Sequence, residues 1–352
     1  MKNSHKFLVV IISSIVLPLF VSCSSGATEF TRPTGADSIV GECSPAVAES
    51  GITATETAQA LIDTIGAANF VYELDAVQRY TWSVLPVPVV ERPDQGARLG
   101  DLNAEAKTLL CTLVDATLSD SGVEIVYGSM SSDEVLGATV NRRDREYTKD
   151  NYWVSIFGDP FNDAMWAYQI EGHHLGINVA VLGDDIMVGP NLYGGYPLFD
   201  EDGTLFLVDQ ERLALAFSAA LTTDQHTQMV ISDSPSEVDV SSESASYAFI
   251  EPATIGLNGS QLNAEQQIAL TALIDSYVET LPAAQATVVK MSVSGELDQA
   301  IISWEGSTDA KPFGYGIRLP SLHIFYSNED DPEHAHILFR LPNNDYGQSL
   351  TN

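Results

Sequence analysis

The sequence predicts an α+β fold in which two similar units, each a helix pair followed by antiparallel strands, pack as one pseudo-twofold domain. The motif Leu102-Asn103-Ala104-Glu105 recurs as Leu262-Asn263-Ala264-Glu265. At the same spacing, Leu113-Val114-Asp115 is matched by Leu273-Ile274-Asp275. Each pair of motifs is followed by a further helical pattern and then by strands. Recurrence in the same order predicts an internal duplication, with units over 46–200 and 201–352.

The recurring motif marks the start of a helix in each unit. Asn103 and Asn263 are N-cap residues by type, and the glutamate in the first turn suits the helix dipole. Apolar residues then recur at helical spacing. A second helix is expected to follow each, and another to open each unit. The four additional predicted helices cover residues 55–67, 121–136, 208–221 and 282–293.

Strand patterns come after the helices in both units. They are short, rich in aromatic and β-branched residues, and flanked by glycine. The predicted strands cover 153–158, 168–170 and 175–177 in the first unit, and 300–306, 315–317 and 322–324 in the second. Residues 232–246 are rich in serine and acidic side chains, which predicts a surface loop.

The N-terminal residues predict export. Lys2 and Lys6 precede an apolar stretch over 7–20 that is short for a membrane span and fits a signal peptide. Val21-Ser22-Cys23 resembles a lipobox, so residues 1–22 are expected to be removed and Cys23 to be lipidated; cleavage as an ordinary signal peptide is the alternative. Residues 23–45 then form a tether. This predicts anchorage to the bacterial cell envelope through the lipid, at the outer membrane where there are two.

Charge and cysteine content limit the partners and the compartment. The formal net charge is −32, and such a surface repels nucleic acid, because phosphate binding needs Lys and Arg. Besides Cys23 the chain has Cys43 and Cys111. Outside the cytoplasm these two could form one disulfide. A buried free thiol at Cys111 is the alternative.

Two clusters hold four of the seven histidines: Glu171-Gly172-His173-His174 and His334-Ala335-His336. Histidine is the commonest metal ligand and titrates near neutral pH. On a strand, alternate residues share a face, so Glu171 and His173 project together if the strand continues through Gly172. His334 and His336 share a face by the same rule. His174 points the other way, unless Gly172 introduces a bulge or turn.

If these strands are neighbours, one site between the units gathers both clusters. Glu171, His173, His174, His334 and His336 are then the candidate ligands for one transition metal, such as zinc, copper or iron. Glu171 and His173 are also the candidate catalytic pair. Three protein ligands with an open position would permit catalysis on a bound water.

Other functions stay open at this stage, including whether the protein is an enzyme. A metal-free hydrolase or lyase would use Glu171 as general acid or base with a histidine partner. A non-enzymatic protein would capture a small molecule in a cleft between the units. The histidines could also be purely structural. Asn328, Arg340 and Asp345 are candidates for ligand binding or structural support, with Arg340 and Asp345 either holding the C-terminal turn or gripping an anionic ligand.

Longer motifs around these clusters resemble a known family. They are Asn151 to Pro160, Trp166 to Asn178, Phe325 to Asn328, His334 to His336, and Asn344 to Gly347. Together they are similar to the domain of unknown function 3500 family of uncharacterised bacterial secreted proteins and lipoproteins, over essentially the whole mature chain. The family usually has an Arg-Asp pair near the last motif, whereas Arg340 is followed here by Leu341, so its Asp partner is missing or displaced. The resemblance implies no reaction.

Overall fold

The computed structural model describes residues 53–68, 70–81, 96–141, 147–236, 252–329 and 331–351. The predicted signal peptide, Cys23, the tether and Cys43 lie outside the described residues. So does most of the predicted loop over 232–246, of which only residues 232–236 are described.

Seven α-helices lie in the described residues, and all six predicted helices are among them. Asn103 and Asn263 are confirmed as N-caps, since their side chains accept from the backbone N–H groups of Ala106 and Gln266. The helices are α1 Ala54–Ile65, α2 Ala104–Thr117, α3 Asp120–Thr139, α4 Val208–Ala219, α5 Thr223–Met229, α6 Ala264–Val278 and α7 Ala283–Glu296.

The strands described in the chain form a single sheet of thirteen. In the first half they are β1 Val71–Tyr72, β2 Ala97–Arg98, β3 Tyr152–Phe157, β4 Trp166–Gly172, β5 Leu175–Leu182, β6 Asp185–Val188 and β7 Asn191–Gly195. In the second half they are β8 Val230–Ser232, β9 Leu257–Asn258, β10 Ile301–Gly306, β11 Phe313–Arg318, β12 His323–Ser327 and β13 Ala335–Arg340. Helices and a mixed sheet together confirm the α+β class.

The strand order joins the two halves at the middle of the sheet. It runs β1-β3-β4-β5-β7-β13-β12-β11-β10-β8, with β2, β6 and β9 beside this path. The seam is the antiparallel pair β7–β13, in register from Ala335 opposite Gly195 to Phe339 opposite Asn191. Each half ends in a parallel pair, β1 with β3 and β8 with β10. This order agrees with duplicated units; the pseudo-twofold axis and the unit boundaries stay predictions.

Equivalent contacts fasten the helices to the sheet in the two halves. In the first half, the hydroxyl of Thr117 on α2 lies 2.5 Å from that of Tyr168 on β4. In the second, the hydroxyl of Tyr277 on α6 contacts that of Tyr315 on β11. All four side chains are buried. Each hydroxyl therefore has the hydrogen-bond partner that a buried polar group needs. The main core lies between this face of the sheet and the helices.

Cys111, on α2, is disulfide-bonded. The alternative of a free thiol is therefore wrong. The other two cysteines of the chain, Cys23 and Cys43, are outside the described residues. Among the helices that the structure describes, none combines the length and the apolar character needed to cross a bilayer.

Gly172 lets the β4 strand pass a buried aromatic ring at the point where the strand ends. A Cβ on residue 172 would lie 2.3 Å from Cδ1 of Tyr152, and that ring is fully buried. We therefore expect Gly172→Ala to lower the free energy of unfolding by about 1–3 kcal/mol, the usual cost of overpacking. Urea denaturation followed by circular dichroism measures it.

The matched control is Gly295→Ala. A Cβ there meets nothing within 4 Å, and the residue lies in α7. Alanine in a helix is more favourable than glycine by roughly 1 kcal/mol, so this variant should be as stable as wild type or more so. Equal stability of both variants would contradict the steric argument.

Candidate metal centre

The first histidine pair forms a tight turn. β4 ends at Gly172 and β5 begins at Leu175, so His173 and His174 are the two residues between paired strands. His174 has φ 62°, in the left-handed region that non-glycine residues seldom adopt. Of the two sequence-based alternatives, the turn is therefore found, and the strand does not continue through Gly172. Strand alternation then no longer decides where His173 and His174 point.

The sheet brings the second cluster to the same place. The C-terminal end of β4, the N-terminal end of β5, the C-terminal end of β7 and the N-terminal end of β13 lie at one end of the sheet. His334 directly precedes β13, and His336 is paired with Gly194 on β7. The two histidine clusters, 160 residues apart in the chain, therefore meet at the seam between the halves.

His174, His334 and His336 form a buried group whose ligand atoms lie within 4.8 Å of one another. Nε2 of His174 is 3.1 Å from Nε2 of His334. The ring of His336 lies 5.0 Å from that of His174 and 4.6 Å from that of His334, centroid to centroid. Three imidazoles thus converge from a turn and from one strand.

Glu329 holds the outer nitrogens of two of these rings. Its Oε1 is 2.8 Å from Nδ1 of His336, and its Oε2 is 3.3 Å from Nδ1 of His334. The residue is buried and, like His174, has a positive φ, 53°. Backbone in this region costs on the order of 1 kcal/mol or more and persists where the surroundings demand it. The carboxylate holds both rings by Nδ1, and Nε2 of His334 faces His174.

Asp133, from α3, forms a second buried group with His173 and His174. Its Oδ1 is 2.7 Å from Nδ1 of His173 and 3.3 Å from Nδ1 of His174. The hydroxyl of Tyr152 donates to the other carboxylate oxygen, Oδ2, at 2.6 Å, and it also contacts the main-chain oxygen of His173. The two groups share His174.

Burial sets the charge of these groups. Burial, followed by repulsion from His173, lowers the pKa of His174 to about 3, although Asp133 acts in the opposite direction. Burial and then repulsion from His336 and His174 put the pKa of His334 well below its ordinary value. Burial opposes the charge of Asp133, yet attraction to His173, the hydrogen bond from His173 and the proximity of His174 leave the pKa of Asp133 lowered. Neutral imidazole is the form that binds metal ions.

The structure places Glu171 apart from these donor groups. It is buried on β4, paired with Trp153 and Gly176, and belongs to neither group. Asp133 and Glu329 supply carboxylates to the clustered histidines. The chain turns after Gly172, so His173 and His174 no longer follow the strand face that carries Glu171. This is why Glu171 does not join them in a donor group.

Sequence reasoning did not find these two carboxylates. Asp133 lies three residues from both Met130 and Leu136, which are buried on the same helix. A charge on an apolar helical stripe is a signal, because buried charges need partners. Glu329 belongs to the stretch Asn328-Glu329-Asp330-Asp331, whose acidity is also typical of an ordinary surface turn.

Of the three residues predicted for ligand binding or support, Asn328 lies beside the centre, whereas Arg340 and Asp345 lie at the other end of β13. The amide of Asn328 donates to the main-chain oxygen of His334, at 3.1 Å, and to the hydroxyl of Tyr326, at 2.9 Å. It thereby closes the loop that carries Glu329. Arg340 donates through Nε to Oδ2 of Asp345, at 2.9 Å, and Oδ1 of Asp345 accepts from the backbone N–H of Leu341. Asp345 is thus the displaced acidic partner, and the pair holds the C-terminal turn.

Tyr196 fixes the ring of His334 from its other side. The two rings stack with centroids 4.7 Å apart. The hydroxyl of Tyr196 donates to Oδ2 of Asp331, at 2.9 Å, which ties the segment after β7 to the 328–334 loop.

A cavity of about 320 Å³ lies elsewhere, in the first half. Its lining is mainly apolar, including Leu110, Val114, Met130 and Ile170, with Lys107 and Lys149 among the polar residues. None of the four clustered histidines lines it. It is therefore a separate feature, and it does not lie between the halves, where sequence reasoning expected a cleft.

Comparison with known families supports the resemblance seen in the sequence. The family model described as protein of unknown function (DUF3500) matches residues 45–348. The chain belongs to the DUF3500 family. The match covers all five quoted motifs and every residue of both donor groups. Comparison with curated proteins and with solved structures gives no match.

The buried histidines predict that the metal-free protein loses stability in acid. In the unfolded chain histidine has a pKa near 6.5, whereas His174 and His334 have lowered values when folded. Below about pH 6.5 these histidines bind more protons in the unfolded state than in the folded state. Their contribution to the free energy of unfolding is therefore fully present above that pH and is lost as the pH falls toward the folded pKa. The free energy of unfolding in EDTA should fall between pH 7 and pH 4.5.

The His334→Gln variant separates the pH dependence caused by the buried histidines from the pH dependence caused by the many surface carboxylates. It keeps those carboxylates, so its stability should depend less steeply on pH than that of wild type over the same range. His226→Gln is the matched control, since His226 lies on α5 beside Ser218. Identical pH profiles for wild type and His334→Gln would contradict the prediction.

Proposed function

We propose that this DUF3500 protein is a zinc-dependent hydrolase whose ion is held by His174, His334 and His336. The observation that carries the proposal is the convergence of three buried imidazoles at the seam, with the outer nitrogens of two held by Glu329. Three protein ligands and one open position are the usual ligand set of catalytic zinc, and a trio of histidines is one of its known forms.

The spacing of the nitrogens supports a common ion. Two Zn–N bonds of 2.0–2.1 Å at a tetrahedral angle place their nitrogens about 3.3 Å apart. The Nε2 atoms of His174 and His334 are 3.1 Å apart. A small outward movement of the rings is enough to admit an ion between them.

The surroundings support a ligand role as well. Metal-binding histidines usually donate their other N–H to a carboxylate, which fixes the ring and its tautomer. Glu329 has this position for His334 and His336. Asp133 approaches Nδ1 of His174, at 3.3 Å, without a well-formed hydrogen bond. Metal-free roles for the same carboxylates explain less well why so many imidazoles are buried together.

The arrangement suits hydrolysis more than electron transfer. Zinc at such a site lowers the pKa of bound water to about 7 and polarises a carbonyl or phosphoryl oxygen. All donors in the group are imidazoles, and no cysteine of the described residues joins them to supply the thiolate that tunes copper redox centres. The side chain of His336 is 10% exposed, against 0% for His174, which makes the His336 side the approach for a small substrate.

The metal-free alternative through Glu171 has less support. Glu171 belongs to neither donor group, whereas three histidines form one, so the geometry favours a metal ion over general acid–base catalysis by Glu171. A centre that binds zinc without turnover is the nearer alternative, and activity measurements separate the two.

Loss of a histidine should remove the zinc. Protein purified without a histidine tag and reconstituted with Zn²⁺ should retain zinc after dialysis, as measured by mass spectrometry of the metal. His334→Gln and His336→Gln should each weaken zinc binding at this site at least 100-fold, because changes to groups that only orient a ligand already cost 10–100-fold. His226→Gln should bind as wild type does.

Turnover provides the second readout. The zinc-loaded protein should hydrolyse at least one of a panel of nitrophenyl esters, phosphate esters and amide substrates, and His336→Gln should not. Zinc binding without hydrolysis would leave a structural or storage centre, and no binding by the folded wild-type protein would overturn the proposal.

We also propose that the protein is exported and anchored to the cell envelope by a lipid on Cys23. The positive N-terminus, the apolar stretch and Val21-Ser22-Cys23 support it. The disulfide at Cys111 adds support, because disulfides persist outside the reducing cytoplasm. If the thiol of Cys23 carries lipid, Cys43 is left as the partner of Cys111.

Mutation of Cys23 should release the protein from the membrane. In a bacterial host, wild type should incorporate labelled palmitate and sediment with membranes, whereas Cys23→Ser should do neither. Non-reducing peptide mapping of wild type should find Cys43 joined to Cys111. Cys43→Ser is the matched control, since it should keep the lipid and lose only the bridge. Soluble, unlabelled wild-type protein would contradict the anchor.

A further inference from the structure

We propose that the centre holds two metal ions, bridged by the imidazole ring of His174. One ion is that of the proposed hydrolase, bound by His174, His334 and His336. The second would be bound by Asp133, His173 and the other nitrogen of His174. This inference rests on the proposed function and adds a second site to it.

The two nitrogens of His174 belong to different surroundings. Nε2 is 3.1 Å from Nε2 of His334, whereas Nδ1 is 3.3 Å from Oδ1 of Asp133. In each direction a complete set of three possible ligands lies within 4.8 Å. One ring therefore faces two donor groups, one from each side.

The Nδ1 atom of His174 has a carboxylate neighbour but no well-formed hydrogen bond. The residue is 0% exposed, and although Oδ1 of Asp133 is near, the atom makes no hydrogen bond. Buried polar atoms without a partner are rare and call for an explanation, of which an ion is one. A metal bond at Nδ1 would use this lone pair.

The neighbours of Asp133 leave its Oδ1 atom facing the two histidines, where it can bind a metal ion. Tyr152 donates to Oδ2, so Oδ1 is the oxygen that faces both histidines. Nδ1 of His173 is 2.7 Å from Oδ1. An ion inserted among these three atoms replaces two histidine–carboxylate contacts with metal bonds of about 2.0–2.2 Å.

The charges balance in this arrangement. Neutral His174 has one N–H proton, which leaves to solvent when the second ion binds, and the ring then offers one lone pair to each ion. The imidazolate and the Asp133 carboxylate together supply two negative charges near the second divalent ion. No group is oxidised or reduced.

The second ion would be structural. The two ions would lie roughly 6 Å apart across the ring, given metal–nitrogen bonds of about 2 Å, which exceeds the 3.5–4 Å of two-metal hydrolases. Asp133 and His174 are the most buried donors, so this ion is remote from substrate. It would fasten α3 to the β4–β5 turn and set the direction of the His174 ring.

Metal stoichiometry tests the proposal with Zn²⁺ as the probe. Native mass spectrometry of untagged, reconstituted wild-type protein should show two zinc ions per chain. Asp133→Asn and His173→Gln should each retain one, and His336→Gln should retain the other one. His226→Gln, as the matched control, should keep two. Two variants are used on the Asp133 side because Asp133→Asn removes a buried charge that folding requires, and circular dichroism checks that each variant folds.

Titration with Cu²⁺ supplies a readout specific to the bridge. Two Cu²⁺ ions joined by an imidazolate couple antiferromagnetically, so the paramagnetic resonance intensity should rise up to one equivalent and fall as the second binds. In folded His173→Gln the intensity should rise and then stay constant. One ion in wild type, unchanged in His173→Gln, would overturn the second site and leave the proposed hydrolase intact. Binding of none would overturn both, and two uncoupled Cu²⁺ ions would overturn the bridge.

Discussion

The antiparallel pairing of β7 with β13 is the contact on which the rest of the molecule depends. It joins the two halves into one sheet and fixes their register, from Ala335 opposite Gly195 onward. The His173–His174 turn is one strand removed, since β5 pairs with β7. A slip of one residue along the seam would turn the side chains of β13 to the opposite face. The pairing thus determines which imidazoles of the second half reach the turn of the first.

The gathered side chains form a polar cluster that is expensive to bury. Four imidazoles and two carboxylates lie almost wholly out of water, and such groups are tolerated only when paired. Each carboxylate contacts two histidines, which gives its buried oxygens polar partners. Tyr152, Asn328 and Tyr196 then fix the backbone and rings around them. Sets of this kind restrict the geometry of a core more than they stabilise it.

Local sequence patterns predicted the helix starts and the histidine clusters. The features that they did not predict depend on contacts between segments that are distant in the chain. Asn103 and Asn263 mark helix starts because capping is decided within four residues. The histidine clusters were recognisable by composition. Their meeting was predicted only for neighbouring strands, and they meet although β7 lies between β5 and β13. The alternation that grouped Glu171 with His173 did not apply, because the chain turns after Gly172. Asp133 approaches from a helix 40 residues away, which no spacing in the sequence expresses.

The two segments that supply the histidines differ in how freely they can change. His173 and His174 occupy a two-residue connection between paired strands, which has no slack, so an insertion there would displace both rings. His334 comes at the end of a seven-residue connection, residues 328–334, between β12 and β13, and such connections accommodate altered length more easily. The turn is therefore the side of the histidine group whose length is fixed, and the 328–334 connection is the side whose length can change. Differences in length among members of the family are expected in the longer connection.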